Sequence, residues 1–391
     1  MTTPLGQYLT RPPRYGIGAA ATAYRADLPV YIRITDVDEF GRFKPDPIVS
    51  VDSPLSSNYL LRDGDIVVAR TGASVGKSYR YRSSDGYLVF AGFLIAICPD
   101  SKRLDPRYLA YTFQSKQYWD WITSESMRSG QPGINAQQIA SLEIDAPDIE
   151  AQREVADKLE DVDNLIESLE GLIAKKRGIK QGIMQELLTG HTRLPGFSGD
   201  WETVPFEKLA MLVTERVDPR TIDPTTQLIE LENVESASGR LLGAGVAGDA
   251  VSLKAIFRPG DVLFGKLRSY LRKYWLADSD GVCSTEIWVL RAREGARGGF
   301  LRCVVESDQF IEATSGGYGT RMPRADWSVV RNLVVSTPPP NEQDAIAEVL
   351  LDADEELSLL EHRLESARAV KTGMMQELLT GRTRLPVEGA S

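Results

Sequence analysis

The side chains best suited to chemistry in this sequence are cations set among glycines and hydroxyls. Thr71-Gly-Ala-Ser-Val-Gly-Lys-Ser78 resembles a phosphate-binding loop, which needs a glycine, four residues and then Gly-Lys-Ser/Thr. Here Gly72 leaves only three residues before Gly76, and Tyr79-Arg-Tyr-Arg82 reads as strand or loop, not as the helix a nucleotide site requires. Nucleotide binding is set aside. Arg70, Lys77, Arg80 and Arg82 read instead as cations that, with the loop amides, face a polyanion. Gly16-Ile-Gly-Ala-Ala-Ala21 fits a dinucleotide fingerprint in spacing alone, because Arg11-Pro-Pro-Arg-Tyr15 stands where an apolar strand belongs. Cys98, Cys283 and Cys303 are spaced like core residues. With only His191 and His362 beside them, they exclude a disulfide framework and a Cys/His zinc cage. His191 aligns with an arginine in a second copy of its segment and reads as a solvated cation at a helix end. No Asn-Pro-Pro-aromatic or Asp-Pro-Pro-Tyr stretch of an amino-methyltransferase is present, so no catalytic residue, metal or bound cofactor is expected on this chain.

A second basic, aromatic run is Lys266-Leu-Arg-Ser-Tyr-Leu-Arg-Lys-Tyr-Trp275. Two polar, glycine-containing stretches accompany these runs. One, at 128–135, carries Arg128 and Gln131; the other, Ser315-Gly-Gly-Tyr-Gly-Thr-Arg-Met-Pro-Arg324, carries Tyr318, Thr320, Arg321 and Arg324. Cations interleaved with aromatics suit DNA, where phosphate contacts position a protein and arginine pairs bidentately with guanine. On this reading Lys266, Arg268, Arg272 and Lys273 join the DNA-facing set. The competing reading of any one stretch is a solvated strand face with half-buried aromatics. The aromatic stretch Tyr108–Trp121 reads as helix core.

The net charge of −10 does not exclude a polyanion. Residues 1–146 carry +1 and 201–337 carry −1, whereas 147–200 carry −4 and 338–391 carry −6. Each of the two larger segments is free to present a basic face. The longest apolar run, Leu88–Cys98, suits a buried strand and is too short to span a bilayer. The N-terminus has no apolar signal segment, so a reducing cytoplasm and no membrane are expected.

The elements that must position these cations follow from a duplication. Residues 147–195 recur at 338–386 without a gap, with 22 of 49 positions identical, including Gln152/Gln343, Arg177/Arg368, Lys180/Lys371 and two copies of Gln-Glu-Leu-Leu-Thr-Gly. The segments upstream, 1–146 and 196–337, share only landmarks such as Asp63-Gly-Asp and Pro259-Gly-Asp; 387–391 is a tail. Either these halves have drifted neutrally, or they recognise two different things from one frame. In the repeats, Leu159, Val162, Ile166, Leu169 and Ile173 fall on a heptad seam, matched by Leu350, Ala353, Leu357, Leu360 and Leu364. Gly190 and Gly381 sit where a left-handed cap belongs, so a helix of ~58 Å is expected from about 150 to 189. Two such helices can pack antiparallel or serve as a dimerisation hairpin. Apolar residues off the seam (Leu165, Leu172, Ile179, Ile183, Leu187, Met374, Met375 and Leu378) favour an external protein partner. Gly182 and Gly373, inside the helices, raise the expectation of a close backbone approach.

The order of variable segment, helix, variable segment, helix resembles the specificity subunit of type I restriction–modification enzymes. The residues that carry the resemblance are Gly64-Asp-Ile-Val-Val-Ala-Arg-Thr-Gly-Ala-Ser-Val-Gly-Lys77, Pro147 with Glu150-Ala-Gln-Arg-Glu-Val-Ala156, the paired Gln-Glu-Leu-Leu-Thr-Gly segments, and Pro338 with Asn341-Glu-Gln343. Trp201-Glu-Thr-Val-Pro-Phe-Glu-Lys-Leu209 opens the second segment as the family's do, while Met1–Gly16 departs from that pattern. The resemblance implies an α+β chain with two mixed target-recognition domains, 1–146 and 196–337, and two antiparallel spacer helices, 147–195 and 338–386, related by a pseudo-twofold. Each domain would read half of a bipartite site in double-stranded DNA. The helices would dock two methyltransferase (modification) subunits. Those subunits would hold S-adenosylmethionine and the chemistry, and a restriction/translocase subunit would cleave. The alternatives are a coiled-coil scaffold carrying two non-DNA ligand domains and a fused methyltransferase–specificity enzyme.

Overall fold

The architecture comes from a computed structural model, which describes residues 2–126, 133–315 and 323–382. Arg128, Gln131, Tyr318, Thr320 and Arg321 lie outside the described residues. The chain divides into two compact units, Met1–Ser168 with Leu364–Ser391, and Leu169–Arg363.

In the first unit the apolar run Ile66–Ala69 becomes the inner strand of a four-stranded antiparallel sheet, ordered Leu9–Tyr15, Leu94–Pro99, Ile66–Ala69, Ser78–Arg80. A second sheet orders Ala21–Ala23, Val49–Val51, Val30–Ile32 and Leu88–Phe90, with the last pair parallel. Leu88–Cys98 is therefore two strands in two sheets rather than one. The chain turns at 91–93 because Gly16 comes so close that a Cβ there would stand 2.2 Å from the Ala91 carbonyl oxygen. The helices Pro106–Thr112 and Lys116–Ser126 bury Tyr108, Tyr111 and Tyr118 and so hold the aromatic stretch as core.

The second unit repeats the first sheet as Ala210–Val213, Ile287–Ala292, Val262–Gly265, Tyr274–Leu276. Its other sheet has five strands in a different order, Arg216–Val217, Lys254–Phe257, Gly281–Ser284, Gln227–Ile229, Gly245–Val246. Drift is thus confined to one sheet and the loops. The landmark turns coincide: Gly64 and Gly260 have φ of 83° and 86°. Asp65 and Asp261 each accept from an amide three residues upstream, those of Arg62 and Arg258. Within the divergent Met1–Gly16 sequence, the described residues 2–16 also make the same opening. The Leu5 amide donates to the Leu142 carbonyl at 2.8 Å, as Phe206 does to Leu333 at 2.7 Å, and both side chains are fully buried. Only Pro4-Leu5 and Pro205-Phe206 carry this likeness in sequence.

The repeats are helices, Ile149–Thr189 of 41 residues and Pro340–Leu378 of 39, and Gly190 and Gly381 follow them with φ of 72° and 66°. Each unit holds the start of one helix and the end of the other. The first core contains Val155, Ala156 and Leu159 with Leu378, flanked by Met374 and Met375; the second contains Ile346, Ala347 and Leu350 with Met184 and Leu187. Leu187 and Leu378 are therefore core residues, and Met374 and Met375 pack against the core that contains Leu378. This corrects their assignment to a partner surface, which remains open to Leu165, Leu172, Ile179 and Ile183, all exposed. Of the seam, Leu159, Ile166, Leu169, Ile173, Leu350 and Leu357 are buried, and Val162, Ala353, Leu360 and Leu364 half-buried. In the second unit the pairs Lys176–Glu356 (2.7 Å) and Lys180–Asp354 (2.5 Å) run in opposite directions along the two helices, so the segments are antiparallel. A Cβ at Gly182 or Gly373 would meet nothing within 4 Å, which overturns the expected close approach: open space surrounds both.

Two side chains clamp the helix starts. Gln152, buried, accepts from the Asp105 amide (2.9 Å) and donates to the carbonyls of Arg103 and Pro147; Gln343 repeats this with the Arg297 amide (2.9 Å) and the carbonyls of Gly295 and Pro338. Gln152→Leu or Gln343→Leu leaves buried peptide groups unpaired, so each is expected to cost about 2–4 kcal/mol, read as a lower urea midpoint. The repeat-equivalent lysines give a sharper expectation. Lys180 is buried between Glu306 and Asp354, beside Arg302. Lys371 pairs at 2.7 Å with an Asp163 that is 37% exposed. Lys180→Met should cost about 3–5 kcal/mol, the penalty for orphaning buried charge. Lys371→Met should cost about 1 kcal/mol. Equal costs in urea titrations would show that the burial difference does not decide stability.

Candidate nucleic-acid interface

Three backbone segments meet at one end of the first sheet in each unit. In the first unit the strand Ile66–Ala69 runs into Arg70, whose amide donates to the Phe93 carbonyl at 3.0 Å and whose carbonyl accepts from Ile134 at 2.9 Å; Thr71 bridges to Gly133. In the second unit Lys266 occupies the same place. Its amide donates to the Glu286 carbonyl at 3.0 Å, its carbonyl accepts from Ala325 at 2.8 Å, and Leu267 bridges to Arg324. One frame thus presents Arg70 and Phe93 in one unit, and Lys266, Glu286 and Arg324 in the other.

The glycine-rich loop of the first unit is a single 3-10 turn, Gly72–Ser74, followed by the strand Ser78–Arg80. A strand leaving the loop confirms that no phosphate-binding helix follows Lys77. Gly72 and Gly76 take φ of 73° and 88°, which lets the chain reverse within this span. The Arg70 guanidinium lies 4.6 Å from the Tyr15 ring centroid, and the Tyr15 hydroxyl accepts from the Ala136 amide. Stacking holds the cation in place while leaving its donors available. Phe93 is 59% exposed beside it. Among the described residues the Lys77 ammonium has no hydrogen-bonding or ion-pair partner.

In the second unit Ser269–Leu271 forms a 3-10 turn between Arg268 and Arg272, both left-handed at φ 53° and 50°. A non-glycine residue held there costs of order 1–3 kcal/mol and persists where the surroundings enforce it. Ser269 supplies one restraint: it is buried and donates to the Thr314 carbonyl at 3.2 Å. The turn leaves Tyr270 and Leu271 exposed. The Arg268 side chain is exposed with no ion-pair partner among the described residues, and the same holds for the half-buried Lys266.

Not every cation assigned to DNA stands there. Arg80 pairs with Glu160 at 2.9 Å and ties the sheet to the first long helix. Arg82 follows at the far end of that strand, ~14 Å from the loop at ~3.4 Å per residue, beside Asp85. Arg272 pairs with Asp308, and Lys273 donates to the Leu231 carbonyl at 2.7 Å. These four are removed from the candidate interface: Arg80, Arg272 and Lys273 because the fold uses them, and Arg82 because of where it lies. Arg324 stays, its Nε donating to Glu286 at 2.9 Å, a contact that holds the Glu286 carboxyl below the usual range. Exposed Phe93 and Tyr270 and the acidic Glu286 were missed in sequence; their one signal was position, at a strand start or within a basic run.

Reactive groups are scarce. Burial pushes the Cys98 thiol up to about 11 and those of Cys283 and Cys303 up to about 12, so none is a thiolate nucleophile near neutrality. His191 is exposed, its Nδ1 2.7 Å from the Thr189 hydroxyl at the helix end. Among the described residues no group of three or more His, Cys, Asp or Glu side chains is placed to hold a metal ion, and no helix is long and apolar enough to cross a membrane.

Residues 29–175 match the family model of the type I restriction modification DNA specificity domain. A putative type I restriction enzyme MjaX specificity subunit of Methanocaldococcus jannaschii is 29% identical over 138 residues, 34% of this chain and 32% of that protein, so the chain spans about a third of this relative. The MjaVIII specificity subunit of the same organism is 21% identical over 90% of this chain and 92% of its own length. A solved S subunit of a type I restriction–modification system from M. genitalium, 13% identical, superposes over 97% of this chain and 95% of its own with a TM-score of 0.59. Residues 29–175 thus match the type I restriction modification DNA specificity domain, and the chain has the fold of that solved S subunit.

Proposed function

We propose that this chain is the non-catalytic subunit that gives a type I restriction–modification complex its DNA sequence specificity, each unit reading one half of a bipartite site. The observation that carries the reading is the paired frame. The same backbone hydrogen bonds present Arg70 in one unit and Lys266 in the other, yet the side chains around them differ in charge, size and shape. A device that reads two unlike half-sites needs a constant frame with variable contacts, whereas neutral drift would not keep the frame's bonds at one end of each sheet. Phosphate contacts would come from Lys77, Lys266 and Arg268, and base contacts from the stacked, oriented Arg70. The two helices would set the half-site spacing and offer Leu165, Leu172, Ile179 and Ile183 to methyltransferase subunits. S-adenosylmethionine and methyl transfer would belong to those subunits, and cleavage to a restriction/translocase subunit, in the cytoplasm.

Mapping of methylated positions after co-expression with a modification subunit tests this: a two-part motif with a constant gap is expected. Arg70→Ala should degrade the motif's first half and leave its second intact, with a loss of about 1–3 kcal/mol at one base pair. Lys266→Ala and Arg268→Ala should each lower the slope of log affinity against log salt by about 1. Arg80→Ala and Arg272→Ala should lower stability without moving that slope. Methylation without a fixed motif would overturn the assignment.

A further inference from the structure

Glu286 is an anomaly if the second unit binds only phosphates. It starts the strand Ile287–Ala292 between Lys266 and Arg324, where a carboxylate repels a polyanion. Its backbone carbonyl holds the Lys266 amide, and its side chain, 30% exposed, is fixed by the Arg324 Nε at 2.9 Å and a second, longer contact at 3.4 Å. A carboxylate accepts several hydrogen bonds, so pairing with Arg324 leaves capacity outward. The position of Glu286 in the frame is that of Phe93 in the first unit, where the backbone carbonyl holds the Arg70 amide and a large apolar ring is left in solvent at the start of the strand Leu94–Pro99. The ring is not packed in a core cluster, and the carboxylate, although paired with Arg324, sits among cations that would bind DNA better without it.

Resting on the proposed function, we infer that this one frame position reads a base edge in each unit: Glu286 as a hydrogen-bond acceptor and Phe93 as an apolar contact. The chemistry then names the bases. In the major groove a carboxylate accepts from the cytosine N4 amino group, and an apolar side chain meets the thymine C5 methyl group. Arg324 acts as a positioning residue that holds the carboxylate in one rotamer and offsets its charge near phosphate. The Phe93 carbonyl holds the Arg70 amide while its ring stays exposed. Recognition by Glu286 follows from its being an acceptor only, and that makes its amide isostere informative. A glutamine offers both a donor and an acceptor, and so pairs with adenine N6 and N7.

The test is selection from a randomised duplex library by the full-length chain co-expressed with modification subunits, wild type against Glu286→Gln, Glu286→Ala and Phe93→Ala. Glu286→Gln is expected to move one position of one half-site from cytosine toward adenine, changing relative affinity about 5- to 10-fold, the lower end of a base contact. Glu286→Ala should flatten that position while raising affinity for random duplex at low salt, because a repulsive charge is gone. Phe93→Ala should flatten the preference for thymine at one position of the other half-site. If Glu286 serves only to hold Arg324, the Gln and Ala variants will keep the wild-type base profile and Arg324→Ala will match them in affinity; that outcome overturns the inference and leaves the proposed function standing. A wild type that selects no motif at all overturns the function itself.

Discussion

Each unit is closed by side chains from both copies of the repeat, and the rest of the structure depends on that closure. Val155, Ala156 and Leu159 begin one helix and meet Leu378 from the end of the other; Ile346, Ala347 and Leu350 meet Met184 and Leu187 in the same manner. Each of the second set lies 191 residues from its counterpart in the first, Met184 answering to Met375, which packs against the first core, so the duplication is repeated in the cores as well as in the sequence. Leu159, Leu350, Leu187 and Leu378 are buried at points where they touch the mixed α/β part of their unit. A fully buried leucine contributes about 1.5–3 kcal/mol relative to its exposed state. Four such residues, two to a unit, make the helices part of the recognition units rather than a detachable spacer. That explains why the repeats stayed alike while the segments before them drifted: a change in the helix is felt in two cores at once.

The same closure carries charges of unequal depth. Lys180 and Lys371 are equivalent, as are Asp354 and Asp163. In the first unit the ammonium sits 5.4 Å from the Tyr111 ring, whose hydroxyl donates to Asp163 at 2.9 Å. In the second unit Arg302 pairs with Asp354 as that tyrosine does with Asp163, and Glu306 joins them, so two cations and two carboxylates share one buried site. Gly239 faces this site closely enough that a Cβ would meet Arg302 at 2.8 Å. Buried charge of this kind is weak evidence for stability, because desolvation offsets much of the attraction. Its consequence is geometric: four groups paired with one another fix the helix Gly298–Glu306 against both long helices within that unit, although Arg302 Nη1 and Glu306 Oε2 have no hydrogen-bond partner among the described residues.

Local pattern revealed the duplication, the heptad seam, the left-handed caps at Gly190 and Gly381 and the buried aromatics of 108–121, because each is written in neighbouring residues. What escaped was written between distant ones. Arg80 and Arg70 look alike in sequence; only the fold shows that Glu160, 80 residues on, has claimed one and Tyr15 has stacked on the other. Asp308 likewise takes Arg272, and no rule of spacing connects residues 36 apart. The apolar run Leu88–Cys98 holds one breaker, Gly92, which falls in the turn that divides it; the close approach of Gly16 to that turn, from more than seventy residues earlier, was not legible in the run itself. Pro4-Leu5 was too short a signal to identify the opening strand, although the Leu5 amide and side chain do what those of Phe206 do.

An overall charge of −10 remains compatible with binding a polyanion because charge acts over a limited range. At physiological ionic strength screening sets in within ~8 Å, so a phosphate responds to the side chains near it and not to the chain's total. The acidity lies in the helical segments, where much of it is already engaged: Glu160 with Arg80 and Arg107, Glu356 with Lys176, and Glu361 with Arg177 and Arg240. Lys77 and Arg268 are different, for they stand on loops with no carboxylate partner among the described residues, and Lys266 makes no ion pair among them although Glu286 lies near it. Leaving a cation unpaired costs the fold little where it is exposed, as at Arg268. It preserves the charge for a partner that arrives from outside, and the strained turn at Arg268 and Arg272 commits backbone energy to presenting it.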